Sequence, residues 1–398
     1  MAQESTFRKN NSGEFCHSEL GSESKNFPPK RIAIIGGGPA GCICAYYLQD
    51  KFEVTLFDKG KFLRTILPTG GGRCNLANAE YDFRELAKNY PRGEKFLYSV
   101  FSKFGTSDTI EFFKKIGIET YTQDDNRIFP ISNSAADVRE KMLKAISKCY
   151  FVKEGVKRIE NLQNCWKIKT DKSTYAFDYV VVAIGGHASL EILKEFEIKI
   201  QPQTQALVGL TTKEDFSSIA GVSIKDILFT HKGISGPAIY KISSLKARNE
   251  FPYQLTLRLI EDIDLQSLLN QNSHKEIKNL LGQFIPKALA VWILNNLNIL
   301  PETPSHKIDG KTRNRILNKL TNFEVTVTGK VPDGEVVTCG GVDLKEVNSK
   351  TLECKQYSGL YFCGEILDID GFCGGFNLQN CWSTGYVVAQ SIINMFIL

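Results

Sequence analysis

The apolar positions of this chain fall into two rhythms. Short continuous runs, Ile32 to Ile35, Phe52 to Phe57 and Tyr175 to Ile184, suit strands buried on both faces of a parallel sheet. Other stretches repeat at helical spacing. Residues 81 to 117 carry Phe96, Val100, Phe101 and Phe104, then Ile110, Phe113 and Ile116, a stripe that reads as core-facing helix. Ser134 to Tyr150 opens on a capping serine, has Asp137 in its first turn, and reads as a further helix. Thr120 to Ile131 reads as a hairpin around Asp125-Asn126.

Around Gln201 the pattern changes. Residues 201 to 260 look strand-rich, with candidate strands Ala206 to Leu210, Ile224 to Phe229 and Gln254 to Ile260. Residues 264 to 320 look helical, including Ile285 to Asn296 and Lys311 to Leu320, and Phe323 to Val327 returns to strand. The closing stretch resembles the opening one. Gly359 to Cys363 is a short strand running into Gly364-Glu365, and Gly374-Gly375 opens a final helix from about Asn377 to Ile397.

The opening stretch, Arg31 to Lys59, reads as one βαβ unit with chemistry at its turn. Gly36, Gly38 and Gly41 form G-x-G-x-x-G, with Pro39 and Ala40 between. Gly36 allows the tight turn out of the strand, Gly38 leaves room for a pyrophosphate, and Gly41 lets helix and strand pack closely. The free N–H groups of the helix start face the phosphates. Asp58, followed by Lys59, ends the second strand where a carboxylate can accept from a ribose hydroxyl. The expected fold is α/β. A Rossmann-like dinucleotide domain is made of 30–200 and 331–398, and 201–330 is an inserted β-rich and helical domain. Residues 1–29 are rich in Ser, Asn, Glu and Lys and are expected to be a disordered leader.

Composition changes this picture little. The 398 residues are 42% hydrophobic, which provides an ample core, and the net charge of +5 comes without any Lys/Arg-rich block. No nucleic-acid partner is expected on that ground. No run reaches the roughly 18 apolar residues of a membrane helix, and the N-terminus has no apolar signal region. A cytoplasmic location is the expectation. The eleven cysteines form no C-x-x-C, and the five histidines have no metal spacing, so no metal is expected.

Two further glycine-rich stretches suit a backbone folded around a ligand. One is Leu63 to Asn78, with Gly70-Gly71-Gly72 followed by Arg73, Cys74 and Asn75. The other is Gly364 to Gln379. A second ligand-facing end, far along the chain, suits a long two-ended cofactor such as FAD.

Taken together, GGGPAG, TGGGRCNLAN, RIFPIS, FTHKGISGPA, VTCGGV, GLYFCGEILDIDG and GGFNLQ resemble the BaiN-type flavoproteins, also described as aminoacetone-oxidase-like or NAD(P)/FAD-dependent oxidoreductases. The resemblance runs from about Lys30 to the C-terminus. It implies a glutathione-reductase-like FAD domain with an inserted domain. It also implies FAD contacts at Gly36, Gly38, Gly41 and Asp58, and along Gly71, Gly72, Arg73 and Asn75. Gly364 and Glu365 would lie near the ribityl or pyrophosphate, and Gly375, Phe376, Asn377 and Leu378 against the flavin pyrimidine. A helix N-terminus there favours a reduced, negatively charged flavin. The chain departs from the family pattern at Ile184, where Thr is usual, and after Gly186, where a Tyr/Pro- and Gly-rich loop is missing.

The implied function is FAD-dependent hydride transfer to or from a small organic substrate, with NAD(P)H as the transient reductant. An FAD-binding RNA-modifying enzyme and a flavoprotein without turnover are the alternatives. His231 is the best-placed residue to exchange a proton, or it caps the Gly/Pro turn that follows it. Arg73 and Arg127 are candidates for a substrate anion, although Arg127 also reads as a solvated hairpin residue. Cys74 and Cys339 lie in glycine-rich loops and read as core.

Overall fold

The computed structural model describes residues 29–163, 165–332 and 337–397. The expected leader lies outside them except for its last residue. Five parallel strands form the central sheet, in the order Leu360–Phe362, Tyr179–Val182, Arg31–Ile35, Glu53–Phe57 and Tyr150–Val152. The opening helix, Pro39–Leu48, and the closing helix, Phe376–Asn394, pack closely against each other. A Cβ on Gly385 would sit 2.4 Å from the Ala40 carbonyl oxygen, so glycine there sets the distance between the two helices. Residues 32–200 and 342–393 thus share one hydrophobic core, which contains Trp382, Tyr90, Phe104 and Phe113.

Several expected elements are divided where a side chain or glycine intervenes. The run Tyr175 to Ile184 is two strands, Thr174–Phe177 in an antiparallel meander and Tyr179–Val182 in the central sheet. Asp178 separates them, its carboxylate accepting from Arg31 N at 2.7 Å and Lys30 Nζ at 2.8 Å. Residues 81 to 117 form three helices, Phe83–Ala87, Glu94–Phe101 and Thr106–Lys115, interrupted near Gly93 and Gly105. Val100, Phe101, Phe104 and Phe113 of the stripe are core. The helix expected over Ser134 to Tyr150 is Ala135–Ala145, capped by Ser134 Oγ, which accepts from Asp137 N.

The expected strand Ala206 to Leu210 is a bend instead. Ile200–Ala206 pairs antiparallel with Val337–Val342, and Leu207 then turns at φ +52° into a separate sheet that starts at Leu210. The strand Val337–Val342 is hidden in the sequence by Gly340 and Gly341. Both are glycine for contact reasons: a Cβ would lie 2.3 Å from Pro202 O and 2.2 Å from Ile366 O. Between these paired strands, residues 210–330 carry a six-stranded antiparallel sheet and helices with their own hydrophobic cluster. Ile224 to Phe229 spans a tight hairpin there, turning at Lys225 with φ +49°. The helices include Lys287–Asn296 and Gly310–Thr321, the latter capped by Asp309, which accepts from Thr312 N at 2.7 Å.

A buried ionic cluster joins the two regions. Arg92 grips both oxygens of Asp370, which is 0% exposed, and Ser244 of the insert donates to the same carboxylate at 3.0 Å. Beside it, Arg248 Nη2 donates to Asp368 Oδ1 at 2.5 Å.

Candidate cofactor and active site

The opening turn is fixed by backbone. Gly36 sits at φ +112° with its N–H on Phe57 O at 2.8 Å, and a Cβ there would lie 2.2 Å from Ala183 O. A Cβ on Gly41 would lie 2.1 Å from Gly36 O. Gly38 differs from both: the nearest atom to its Cβ position is Thr65 Oγ1 at 3.9 Å. Gly38 caps the opening helix without a side-chain bond, Pro39 follows at the first helical position, and the first turn carries no acidic residue. Its free N–H groups therefore face open space. Asp58 is held by two backbone donors, Gly37 N at 2.9 Å and Gly60 N at 2.7 Å. Each oxygen keeps a lone pair for a ribose hydroxyl. Lys59 is exposed.

The cradle continues through residues with open space before them. Gly71, at φ +70°, and Gly185, at φ +77°, have no atom within 4 Å of a Cβ position. Gly72 also has a positive φ and almost no neighbour. Gly364 N donates to Thr384 Oγ1 at 2.9 Å. Burial, with Asp370 adding repulsion, pushes the Glu365 carboxyl up to about 7 against the pull of Gly186 N–H. The Thr338 hydroxyl is buried without a partner, 3.4 Å from where a Gly186 side chain would begin. These features fit FAD: a pyrophosphate at Gly36, Gly38 and Gly41, a ribose at Asp58, and a polyol near Glu365 and Thr338.

The closing helix starts at Gly375, φ +97°, whose Cβ would lie 2.2 Å from Ala77 O. With its amide oriented so that nitrogen faces the neighbouring carbonyls, Asn75 donates to Ala77 O and Ile128 O and accepts from Gly375 N at 2.9 Å. Asn377 closes the preceding loop by bonding to Gly371 N and O at 2.8 and 2.9 Å. Both amides are thus spent on shaping the helix start. Phe376 is buried, and its carbonyl accepts from Tyr90 OH at 2.6 Å. Leu378 packs on the core.

Around that helix start the structure gathers charges from distant segments. The Arg73 guanidinium lies 4.1 Å from the Phe129 ring centroid and donates to Gly70 O at 3.1 Å. Arg127 lies 5.5 Å from the same ring and pairs with Asp125 at 2.7 Å. Asn78 pairs with Arg127 across the strands and donates to Gly374 O at 3.0 Å, which ties the hairpin to the loop of Cys373. Cys373 is the exposed one among the described cysteines. Partial burial raises its thiol pKa and the Arg127 charge opposes the rise. Lys241 of the insert reaches over Phe372 at 5.0 Å. Cys373, Lys241, Phe372 and Thr338 had no signal of their own in the sequence, because each becomes meaningful only through neighbours from elsewhere in the chain.

Other expected candidates lie apart. His231 is exposed on the hairpin turn between Ile227–Thr230 and Gly233–Ser235, where its charge helps to lower the Asp215 carboxyl. Cys74 and Cys339 are buried, and desolvation raises both thiols, that of Cys74 to about 12. After Gly186 the chain runs through a single helical turn, Leu190–Leu193.

Residues 30–391 match the family described as "HI0933-like protein Rossmann domain". The chain belongs to this HI0933-like family. It is 29% identical over 396 residues to the ribosomal RNA dihydrouridine synthase of Escherichia coli (strain K12), covering 90% of this chain and 97% of that protein. It is 30% identical over 400 residues to the protein of the same name from Haemophilus influenzae (strain ATCC 51907 / DSM 11121 / KW20 / Rd), with 90% and 97% covered. It is 28% identical over 410 residues to the 3-dehydro-bile acid delta(4,6)-reductase of Clostridium scindens (strain ATCC 35704 / DSM 5676 / VPI 13733 / 19), with 91% and 98% covered. The last bears out the resemblance to BaiN-type flavoproteins. The HI0933-like chain is an enzyme of the FAD-dependent oxidoreductase class with a Rossmann-like fold. No described helix is long and apolar enough to cross a membrane.

Proposed function

We propose that this HI0933-like protein reduces a carbon–carbon double bond conjugated to a carbonyl, and that its substrate is a uracil base in RNA. Both relatives' names describe saturation of such a bond, in a pyrimidine or in a steroid ring. The observation that carries the substrate choice is the rim at the closing helix start, where the Arg127 charge reaches Cys373, Lys241 lies over Phe372, and Arg73 shares the Phe129 ring with Arg127. Such a rim suits a phosphodiester backbone with a base turned inward.

When bound, FAD supplies the hydride, and NAD(P)H restores it. The chain's own residues do the rest. The helix start at Gly375 and the Arg73 charge stabilise negative charge that develops on the substrate carbonyl as hydride arrives at the far carbon of the double bond. In this scheme Cys373 gives its thiol proton to the near carbon, and solvent replaces it. Phe372 holds the ring plane and excludes water, and the buried Phe129 positions the Arg73 and Arg127 guanidinium groups. His231, on the insert's hairpin, is not needed in this scheme.

The test is anaerobic. Holoprotein bleached with NADH or NADPH is mixed with a ribosomal RNA fragment, and flavin reoxidation is followed alongside mass spectrometry of the nucleosides. Reoxidation with a gain of two hydrogens on uridine, weakening steeply with salt, is the expected result. Reoxidation by an unsaturated 3-keto steroid but not by RNA would replace RNA with a small molecule. Reoxidation by neither would end the double-bond reading.

A further inference from the structure

A second concave feature lies away from the glycine cradle. It is an open pocket of about 440 Å3 at the junction of the insert with its connecting strands. Thr204 comes from the connecting strand, Arg248, Asn249 and Phe251 from the turn after the insert's helix Pro237–Leu245, and Lys330 from the end of strand Phe323–Lys330. Lys330 Nζ donates to Thr204 Oγ1 and Gln205 O at 2.7 Å and to Ala247 O at 2.8 Å, so the floor is rigidly tied. Arg248 stands at the wall, its side chain 40% exposed and one nitrogen on Asp368.

The aromatic wall distinguishes this pocket from an ordinary polar cleft. Phe251 is exposed and lies nearly parallel to Tyr253, with centroids 5.4 Å apart and planes at 24°. Lys246 sits 5.5 Å from the Tyr253 ring. One face of Phe251 is supported by Tyr253, and the ring remains open to a further planar group. A supported aromatic face beside a part-exposed guanidinium is an arrangement that binds a base and its phosphate together. The volume lies within the range of small-ligand sites.

We propose that this pocket binds a phosphorylated nucleoside, with its base on Phe251 and its phosphate on Arg248; Lys330, its three N–H groups held by the floor, contributes only its charge. The chemistry is shared by two sources: the adenosine end of a pyridine dinucleotide and a nucleotide of an RNA strand. Either would bear on the active site through Arg248 and Asp368, which lies in the segment leading to Asp370 and the closing helix. The pocket does not depend on uracil being the substrate.

The experiment uses full-length holoprotein, whose FAD site is filled, and titrates AMP calorimetrically into the wild type, Phe251→Ala and Arg248→Gln. AMP affinity should fall at least tenfold in both variants while the flavin spectrum stays unchanged. Phe251→Ala, an exposed position, should melt as the wild type does. NADPH and a single-stranded RNA are then titrated into the same proteins. A parallel fall for NADPH assigns the pocket to the reductant, and one for RNA assigns it to the substrate strand. A fall confined to AMP leaves free nucleotide as the ligand. No AMP binding to the wild type, or equal AMP affinity in all three proteins, overturns the proposal.

Discussion

Two helix starts face the proposed cofactor, and they are built in opposite ways. The opening one, at Gly38, is made almost entirely of backbone: Gly36 and Gly41 are forced by carbonyl oxygens 2.2 and 2.1 Å from a would-be Cβ, and Gly38 opens onto space. The closing one, at Gly375, is assembled from side chains of remote segments. Asn75, Tyr90, Arg92, Arg127 and Lys241 all converge on residues 370 to 376 or their immediate neighbours. A pyrophosphate asks only for N–H groups and room, which a short motif provides. A reacting substrate asks for charges and a proton at set places, which no single stretch can supply.

The contrast can be broken most directly at Gly38. A Cβ there meets nothing closer than 3.9 Å, so Gly38→Val should fold yet lose FAD, with affinity down by roughly a thousandfold, about 4 kcal/mol. Colour and melting temperature of the purified variant check both halves. Flavin retained at wild-type occupancy would mean that the pyrophosphate lies elsewhere.

At the other helix start the largest loss should be one of stability. Arg92→Ala leaves the fully buried Asp370 carboxylate without its bidentate partner, which costs about 3–5 kcal/mol. Thermal unfolding of the apo form should show the drop. Asp370→Asn, which keeps one acceptor for Arg92 and Ser244, should lose less. Equal stability in both variants would show that this junction does not hold the two regions together.

Next in size is Cys373→Ser, expected to retain FAD and its reduction by NAD(P)H but to reoxidise with substrate about a hundredfold more slowly. Unchanged reoxidation would remove the thiol from the mechanism while leaving the rim charges in place.

A pH slope is expected from Glu365, spread over several pH units. Its folded carboxyl is raised to about 7 from an ordinary 4.5, so the folded state binds the proton more tightly than the unfolded one. Its contribution to stability is therefore full below about pH 4.5 and is lost as pH rises through about 7. Glu365→Gln should flatten that part of the melting-temperature profile of the apo form. A profile unchanged by the substitution would place the slope on other groups.

How much of this was legible differs with the range of the interactions. The apolar runs Ile32 to Ile35 and Phe52 to Phe57, the G-x-G-x-x-G turn and Asp58 lie within one βαβ unit, and their spacing shows in that stretch alone, although Gly36 is also hemmed in by the distant Ala183 O. Local sterics and periodicity determine such a unit, so the sequence alone was enough to establish it. The strand Val337–Val342 was invisible because Gly340 and Gly341 look like a turn, and only contact with Pro202 O and Ile366 O gives them their purpose. Asn75 read as a cofactor contact, and its bond to the closing helix start was not legible in the sequence. His231 looked the best acid by residue type, and its hairpin places it beside Asp215. Cys373 looked like any other cysteine until Asn78 brought the Arg127 strand to its loop. The sequence by itself determined the dinucleotide-binding frame, because its strand, glycine turn and helix start follow one another within a single stretch of chain. Tertiary structure alone decided the reacting end, because charge and proton position depend on distances between segments far apart in the chain.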